Sequence, residues 1–257
     1  MYPLLLQLDP ITISSLWVLV ATGFFVSLIV LFRLLGKDRA GLSFIAEHSL
    51  AIFFAGLIGA RLIFVIWNYK YFFGSFDLGK FMEMFYIWDK KFSFTGGIIG
   101  IFLSIYYFCK KAHQNFLKWL DIVSISMLGG IIFGNIGAFL DGSNYGNETS
   151  LPWGMVFDSS RFAVPIHPVQ IYAAISTAIL FLIVYKILWK KFNKQEGLTG
   201  MITIAAYSFL RFIEEFFRGD ESNYLFNIRT DQIYALIAFI GISALLYARF
   251  FKPKKQL

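Results

Sequence analysis

MITIAAYSFLRFIEEFFR, residues 201–218, opens as an apolar helix and closes on four charged residues, Arg211, Glu214, Glu215 and Arg218. Positions 211, 215 and 218 are spaced i, i+4, i+7, which predicts one shared helical face. A charge deep in a bilayer costs about 2.5 kcal/mol or more, so a chain keeps one only where it pairs, lines a wet cavity or grips an anion. Two arginines flanking a carboxylate suit an anion such as a lipid phosphate, with the carboxylate holding one guanidinium in place. The plainer reading of the same residues is a helix end at headgroup level with snorkelling arginines.

Composition favours a membrane setting for this helix. The 257 residues are 58% hydrophobic, 19% aromatic and 15% charged, with a mean hydropathy of +0.65. Soluble chains carry roughly 25% charged residues, so the balance here places the chain in the membrane class. The net charge of +7 does not point to nucleic acid, because the lysines sit in short segments between apolar runs, the pattern of positive-inside topology. The single cysteine, Cys109, leaves no intrachain disulfide and no cysteine-based metal site. Three scattered histidines predict no metal centre, and no cofactor is expected.

Working outward, seven apolar runs are expected to span the membrane, at about 14–35, 50–68, 92–109, 119–140, 167–188, 201–218 and 233–251. Basic residues mark alternate connections: Arg33, Lys37 and Arg39; Lys110, Lys111 and Lys118; Lys186, Lys190, Lys191 and Lys194; and Lys252, Lys254 and Lys255. This predicts an all-α polytopic membrane protein of seven transmembrane helices, N-terminus outside and C-terminus cytoplasmic. Residues 1–257 are read as a single integral membrane domain with an extramembrane arm at about 69–91 and an outer loop at about 142–166. The small-residue pairs Gly56/Ala60 and Gly96/Gly100, and the glycines at 129, 130, 134 and 137, predict close helix contacts. No internal repeat supports an inverted-repeat transporter.

Several polar groups fall near the outer ends of these runs. Arg61 lies inside the second run, a functional candidate whose alternative is a structural pairing. Asn135, Asp141, Ser143 and Asn144 gather where the fourth run emerges. His167, Gln170 and Tyr172 open the fifth, behind Pro168, which suits a first helical turn. A lone histidine there is more often a hydrogen-bonded structural residue than a catalyst. Together with Arg211–Arg218, these stations are expected at one depth and suggest a shared site.

The same stations in the same order resemble the prolipoprotein diacylglyceryl transferase family of bacterial membranes. The resemblance rests on Gly59-Ala60-Arg61, Ser93-Phe94-Thr95-Gly96-Gly97, Asp121, the glycine-rich stretch 134–146, Pro152-Trp153-Gly154-Met155-Val156-Phe157, His167-Pro168-Val169-Gln170-Ile171-Tyr172, the Arg211, Glu215, Arg218 spacing, and Gln232. It implies a seven-helix enzyme of the plasma (inner) membrane that moves the diacylglyceryl group of phosphatidylglycerol to the lipobox cysteine of a prolipoprotein, releasing glycerol-1-phosphate. The partners implied are a phospholipid and a prolipoprotein signal-peptide segment. Catalytic candidates are Arg211, Glu215, Arg218, His167 and Asp141. Substrate-binding candidates are Arg61, Asn135, Thr95, Gly96, Gly97, Gly142, Gly146, Gln170 and Tyr172.

The departures from the family pattern are specific. Its histidine after Ser-Phe is Thr95 here, its signature arginine is Asn135, and its asparagine after the second glycine is Ala138. Its later asparagine is Asp141, its glutamates are Ser143 and Ala173, and the first-helix tyrosine segment reads Ser15-Leu16-Trp17-Val18. Threonine cannot serve as a general base near neutral pH, and asparagine does not carry a guanidinium's charge. His167, Asp141 and Glu215 then stand as candidates for the base, and Arg61, Arg211 and Arg218 for the phosphate. A catalytically silent relative that binds phospholipid or a membrane partner is the alternative reading.

Overall fold

The computed structural model describes residues 4–8, 11–74, 77–86, 92–156, 164–222 and 224–252. Residues 87–91 of the expected arm and 157–163 of the expected outer loop lie outside them, and Phe157 falls in the second gap.

A hairpin of β1 (Leu4–Leu8) and β2 (Ile11–Ser14) leads directly into α1 (Ser15–Leu35). There follow α2 (Arg39–Trp67), two short helices α3 (Tyr69–Phe73) and α4 (Leu78–Glu83), α5 (Phe94–Lys111) and α6 (Phe116–Asp141). Next, α7 (Val169–Ile183) continues through a π-helical turn, Val184–Leu188, into α8 (Trp189–Phe192). After α9 (Leu198–Glu214), the two-residue strands β3 (Tyr224–Leu225) and β4 (Ile228–Arg229) pair ahead of α10 (Thr230–Leu246). Among the described residues, five helical stretches are long and apolar enough to cross a membrane: Ser15–Leu35, Arg39–Trp67, Phe116–Asp141, Val169–Phe192 and Thr230–Phe251. The chain is a multi-pass membrane protein. The other two runs form α5, of 18 residues, and α9, of 17.

The architecture is all-helical as expected, with two short hairpins beside the helices among the described residues. The differences from expectation have local causes. The second run was expected from residue 50, but α2 begins at Arg39, because the Asp38 side chain accepts the Gly41 N–H and caps the helix there. The fifth was expected from His167, but its first helical residue is Val169, with Pro168 as the capping position. The sixth was expected to run to Arg218. The helix ends at Glu214 and the chain turns over 215–217, so Arg218 is not on that helix.

The chain divides into two compact units, one of Met1–Leu34 with Leu120–Leu257, the other of Leu35–Trp119. In the first, α1 crosses α6 at glycines: a Cβ at Gly23 would stand 2.5 Å from the Gly130 carbonyl oxygen, and one at Gly137 would press on Leu16 and Leu19. Val30, Ile125, Leu128, Leu180 and Val184 form its buried core, with Tyr207 and Leu210 of α9 packed on it. The N-terminus of α9 is held from a distance. The buried Asp121 carboxylate on α6 accepts the Gly197 N–H at 2.7 Å and the Gly200 N–H at 2.5 Å. That places a carboxylate where the helix leaves its N–H groups unpaired.

In the second unit α2 and α5 lie antiparallel along the predicted small-residue seam. A Cβ at Gly59 would meet the Gly96 oxygen at 2.5 Å, and one at Gly100 the Ala55 oxygen at 2.3 Å. Such approach lets two backbones touch without a polar anchor. Near the seam's other end the His48 ring stacks on Phe44 at 4.8 Å and Phe44 packs on Trp119 at 4.6 Å.

Candidate functional site

The loop before α10, the end of α9 and the loop after α6 are tied together by main-chain bonds before any side chain is considered. Gly146 pairs with Arg218, Asn147 N–H donates to the Phe217 oxygen at 2.8 Å, and Gly219 N–H donates to the Tyr145 oxygen at 2.9 Å. His167 N–H donates to the Asn147 oxygen at 2.9 Å, which brings in the start of α7. A Cβ at Gly146 would stand 2.3 Å from the His167 oxygen, and one at Gly219 2.7 Å from the Gly146 oxygen. Glycine at both positions is what permits three segments to pack backbone against backbone. Gly142 (φ 82°) and Asn144 (φ 56°) turn the chain off the end of α6 in left-handed conformations.

On this scaffold sits a cluster of arginines and carboxylates centred on Glu215, which is 2% exposed. Its Oε1 accepts from Arg211 Nη2 and Arg218 Nη1, both at 2.8 Å, and its Oε2 accepts from Arg229 Nε at 2.8 Å. A second carboxylate, Asp220, accepts at Oδ1 from Arg218 Nε and Arg229 Nη2, both at 2.9 Å. Arg229 Nη1 also donates to the Asp220 main-chain oxygen at 2.9 Å, and Arg218 Nη2 to Asn144 Oδ1 at 3.0 Å. Glu214 completes the group, accepting from Arg211 Nη1 at 3.1 Å and from Ser176 Oγ at 2.7 Å. Three guanidinium groups thus hydrogen-bond to three carboxylates, and the Asp231 side chain of α10 lies close enough to interact electrostatically with all three arginines. Removing one partner of such a buried pair costs about 3–5 kcal/mol, because the other charge is left without compensation.

The three arginines are not equivalent. The side chains of Arg218 and Arg229 are 8% and 6% exposed, that of Arg211 25%. Arg211 makes two hydrogen bonds here, both to glutamates. Its Nε–H and one hydrogen on each terminal nitrogen lie outside those bonds. The geometry therefore offers one partly open guanidinium, braced from behind, to an incoming anion.

At the start of α7, the His167 ring packs on Phe217 at 5.3 Å, and its Nδ1 lies 3.3 Å from the Tyr172 hydroxyl. Trp153 Nε1 donates to that same hydroxyl at 2.9 Å. Gln170 is buried on α7, and its Nε2 donates to the Ser143 oxygen at 2.7 Å. Its Oε1 is buried with no hydrogen-bond partner among the described residues. Asn135 and Asp141 occupy the last two turns of α6. Among the described residues, neither bonds to the arginine cluster.

The remaining candidates belong to the second unit. Arg61 Nε donates to the Met84 oxygen at 2.9 Å and Nη2 to the Glu83 oxygen, with the guanidinium over the Phe64 ring at 5.4 Å. It fastens α2 to the segment after α4. Ser93 caps α5 by accepting the Gly96 N–H at 3.2 Å. Thr95 lies in the first turn of that helix, half-buried, and Gly96 is where α2 approaches. A Cβ at Gly97 would make only ordinary contacts. Among the described residues no group of three His, Cys, Asp or Glu side chains is placed to hold a metal ion.

The helical spacing of Arg211, Glu215 and Arg218 predicted a shared face, yet Arg218 reaches Glu215 from the turn and the bridge to Gly146. Arg229, Asp220 and Ser176 were not singled out as site residues. One signal pointed to Arg229: it is a basic residue at the end of an apolar run expected to face outward, against the positive-inside trend.

The sequence model of the family described as Prolipoprotein diacylglyceryl transferase matches residues 3–248. Among individual proteins, the chain is 30% identical over 257 residues to the phosphatidylglycerol–prolipoprotein diacylglyceryl transferase of Clostridium tetani, covering 98% of this chain and 100% of the relative. It is 30% identical over 249 residues to the protein of the same name from Finegoldia magna, covering 95% and 94%. It is 37% identical over 147 residues to that of Campylobacter lari, covering 55% and 52%.

Proposed function

This chain belongs to the prolipoprotein diacylglyceryl transferase family, and we propose that it moves the diacylglyceryl group of phosphatidylglycerol onto the lipobox cysteine thiol of a prolipoprotein. The reaction gives the chain a definite task. The thiol loses its proton, and sulfur attacks the glycerol carbon that carries the phosphate. The carbon–oxygen bond breaks, a thioether forms, and glycerol-1-phosphate leaves with the bonding electrons. The nucleophile comes from the peptide, so an enzyme whose own Cys109 is buried lacks nothing.

The observation that carries this reading is Arg211. It is the partly exposed member of an otherwise buried cluster, and its remaining donors suit a phosphodiester and the negative charge that grows on it as the bond breaks. Glu214 and Glu215 fix its direction. Both oxygens of Glu215 are engaged by guanidinium groups, so its role is bridging, and Arg218 belongs to the same brace. His167 is the candidate to accept the thiol proton, since imidazole is the side chain suited to that task near neutral pH. Tyr172 and Trp153 orient it. Gly142, Gly146 and Gln170 shape the loop behind it, and Asn135 and Asp141 line the same end of α6. Around this site the chain works as one seven-helix domain of the bacterial plasma membrane, N-terminus outside, with the cluster at the outer side.

Purified protein in phosphatidylglycerol vesicles with a lipobox peptide should yield a peptide heavier by one diacylglyceryl group, located on the cysteine by mass spectrometry. Failure to form that product, where the Clostridium tetani relative forms it, would leave a lipid-binding protein without the transferase activity.

A further inference from the structure

Arg229 stands outside every motif that pointed to the site, yet it reaches both of the carboxylates that hold Arg218. It is 5% exposed and comes from β4, the strand that delivers the chain into α10. Three of its donors are used on two residues: Nε on Glu215, Nη2 on the Asp220 carboxylate, Nη1 on the Asp220 main chain. Glu215 Oε2 accepts from Arg229, while Oε1 accepts from Arg211 and Arg218. Without Arg229, Oε2 would be a buried anionic oxygen lacking its donor. The nearest remedy is rotation of the carboxylate toward Arg211, which would take up the very donors that face outward. The balance of charge changes in the same direction, because two guanidinium groups would then face three carboxylates.

We infer that Arg229, through Glu215 and Asp220, is a positioning residue that keeps Arg211 aimed outward and the cluster neutral enough to accept an anionic headgroup. This rests on the phosphate-binding role given to Arg211 above. It predicts a sign that a merely structural ion pair does not. Arg229→Gln makes the cluster more negative by one charge than wild type, and adding Asp220→Asn restores the wild-type balance while deleting further hydrogen bonds. If Arg229 only holds the fold, the double variant is the worse of the two. If it sets the charge and aim of Arg211, the double variant is the better binder.

The full chain in detergent, as wild type, Arg229→Gln, Arg229→Lys, and Arg229→Gln with Asp220→Asn, is titrated with phosphatidylglycerol and with zwitterionic phosphatidylcholine. Native mass spectrometry reads binding, a thermal melt reads stability, and the lipobox peptide assay reads KM and kcat. Arg229→Gln should weaken phosphatidylglycerol binding about tenfold, leave phosphatidylcholine binding unchanged and raise KM more than it lowers kcat. The double variant should regain part of that loss while melting no higher than the single. A lower melting temperature with unchanged phosphatidylglycerol affinity would overturn the inference, as would a double variant that binds no better than the single. Should Arg229→Gln not fold, Arg229→Lys and the double variant carry the same comparison. Wild-type protein that prefers phosphatidylglycerol but forms no thioether removes the transferase reading and leaves this one standing. Wild-type protein with no preference for the anionic lipid removes both.

Discussion

Two arginines within apolar runs, one in each compact unit, show how differently the same side chain can be used. Arg61 of the second unit reaches main-chain oxygens of Glu83 and Met84 and lies over Phe64. Arg211 of the first unit bonds to two glutamates on its own helix end and keeps donors outside those bonds. From sequence both are charges within apolar runs, and both are functional candidates on that ground alone. The partners separate them. An arginine spread over backbone carbonyls joins two segments of chain. One braced by carboxylates, which are themselves braced by Arg218 and Arg229, has a fixed direction and room for a further acceptor.

The sharpest way to break this contrast is Arg211→Gln. It should reduce kcat/KM for thioether formation at least ~100-fold, the scale of losing a donor to developing charge. An activity loss of less than about tenfold would erase the distinction between the two arginines. Glu215→Ala should act on stability instead. It strips three guanidinium groups of their shared acceptor and should cost about 3–5 kcal/mol in a denaturant titration. A variant as stable as wild type would mean the cluster does not depend on its centre.

Arg61→Met tests the other side. It should release the segment around Glu83 and Met84, read as faster amide exchange or proteolysis there, while lowering transfer activity far less than Arg211→Gln does. Equal losses at both positions would make Arg61 a substrate ligand after all. Asp121→Ala removes the remote cap of α9 and should destabilise by about 0.5–2 kcal/mol, the range of helix N-caps. Arg211 should keep its role in that variant.

The smallest effect is expected at Asp38. The Lys118 ammonium hydrogen-bonded to its side chain, aided by the Gly41 N–H, holds its carboxyl below the ordinary value of 3.8. A depressed carboxyl contributes stability that is fully present above that ordinary value and is lost as pH falls through the lower, folded-state value. Both partners are partly exposed, so less than about 1 kcal/mol is expected. Lys118→Met should lower stability in the neutral region by less than about 1 kcal/mol and so flatten the acid limb of a stability–pH curve slightly.

Helix packing in the second unit was legible in the chain. Gly56 with Ala60 and Gly96 with Gly100 marked two close-packing faces, and the structure sets those faces against each other. Small residues at a spacing of four report a local geometric fact, and it survives into the fold because nothing else lets two helix backbones meet. The arginine cluster was only half legible. Arg211 and Glu215 are one helical turn apart, so their pairing follows from the chain itself. Arg218 was expected on the same helix and instead arrives from a turn, and Asp220 and Arg229 carry no periodic signal.

The sequence by itself determined the membrane class, the apolar runs, the family and the Arg211–Glu215 pair, because each depends on composition or on neighbours within a helical turn. Only the tertiary structure decided which arginine of the cluster stays open, that Arg61 reaches main-chain oxygens, and that Arg229 belongs to the cluster. The reason is physical. A guanidinium's role is fixed by which acceptors reach it: Arg229 meets Glu215 and Asp220 from the β3–β4 hairpin, and Arg218 meets Asn144 where Gly146 and Gly219 let two loops touch.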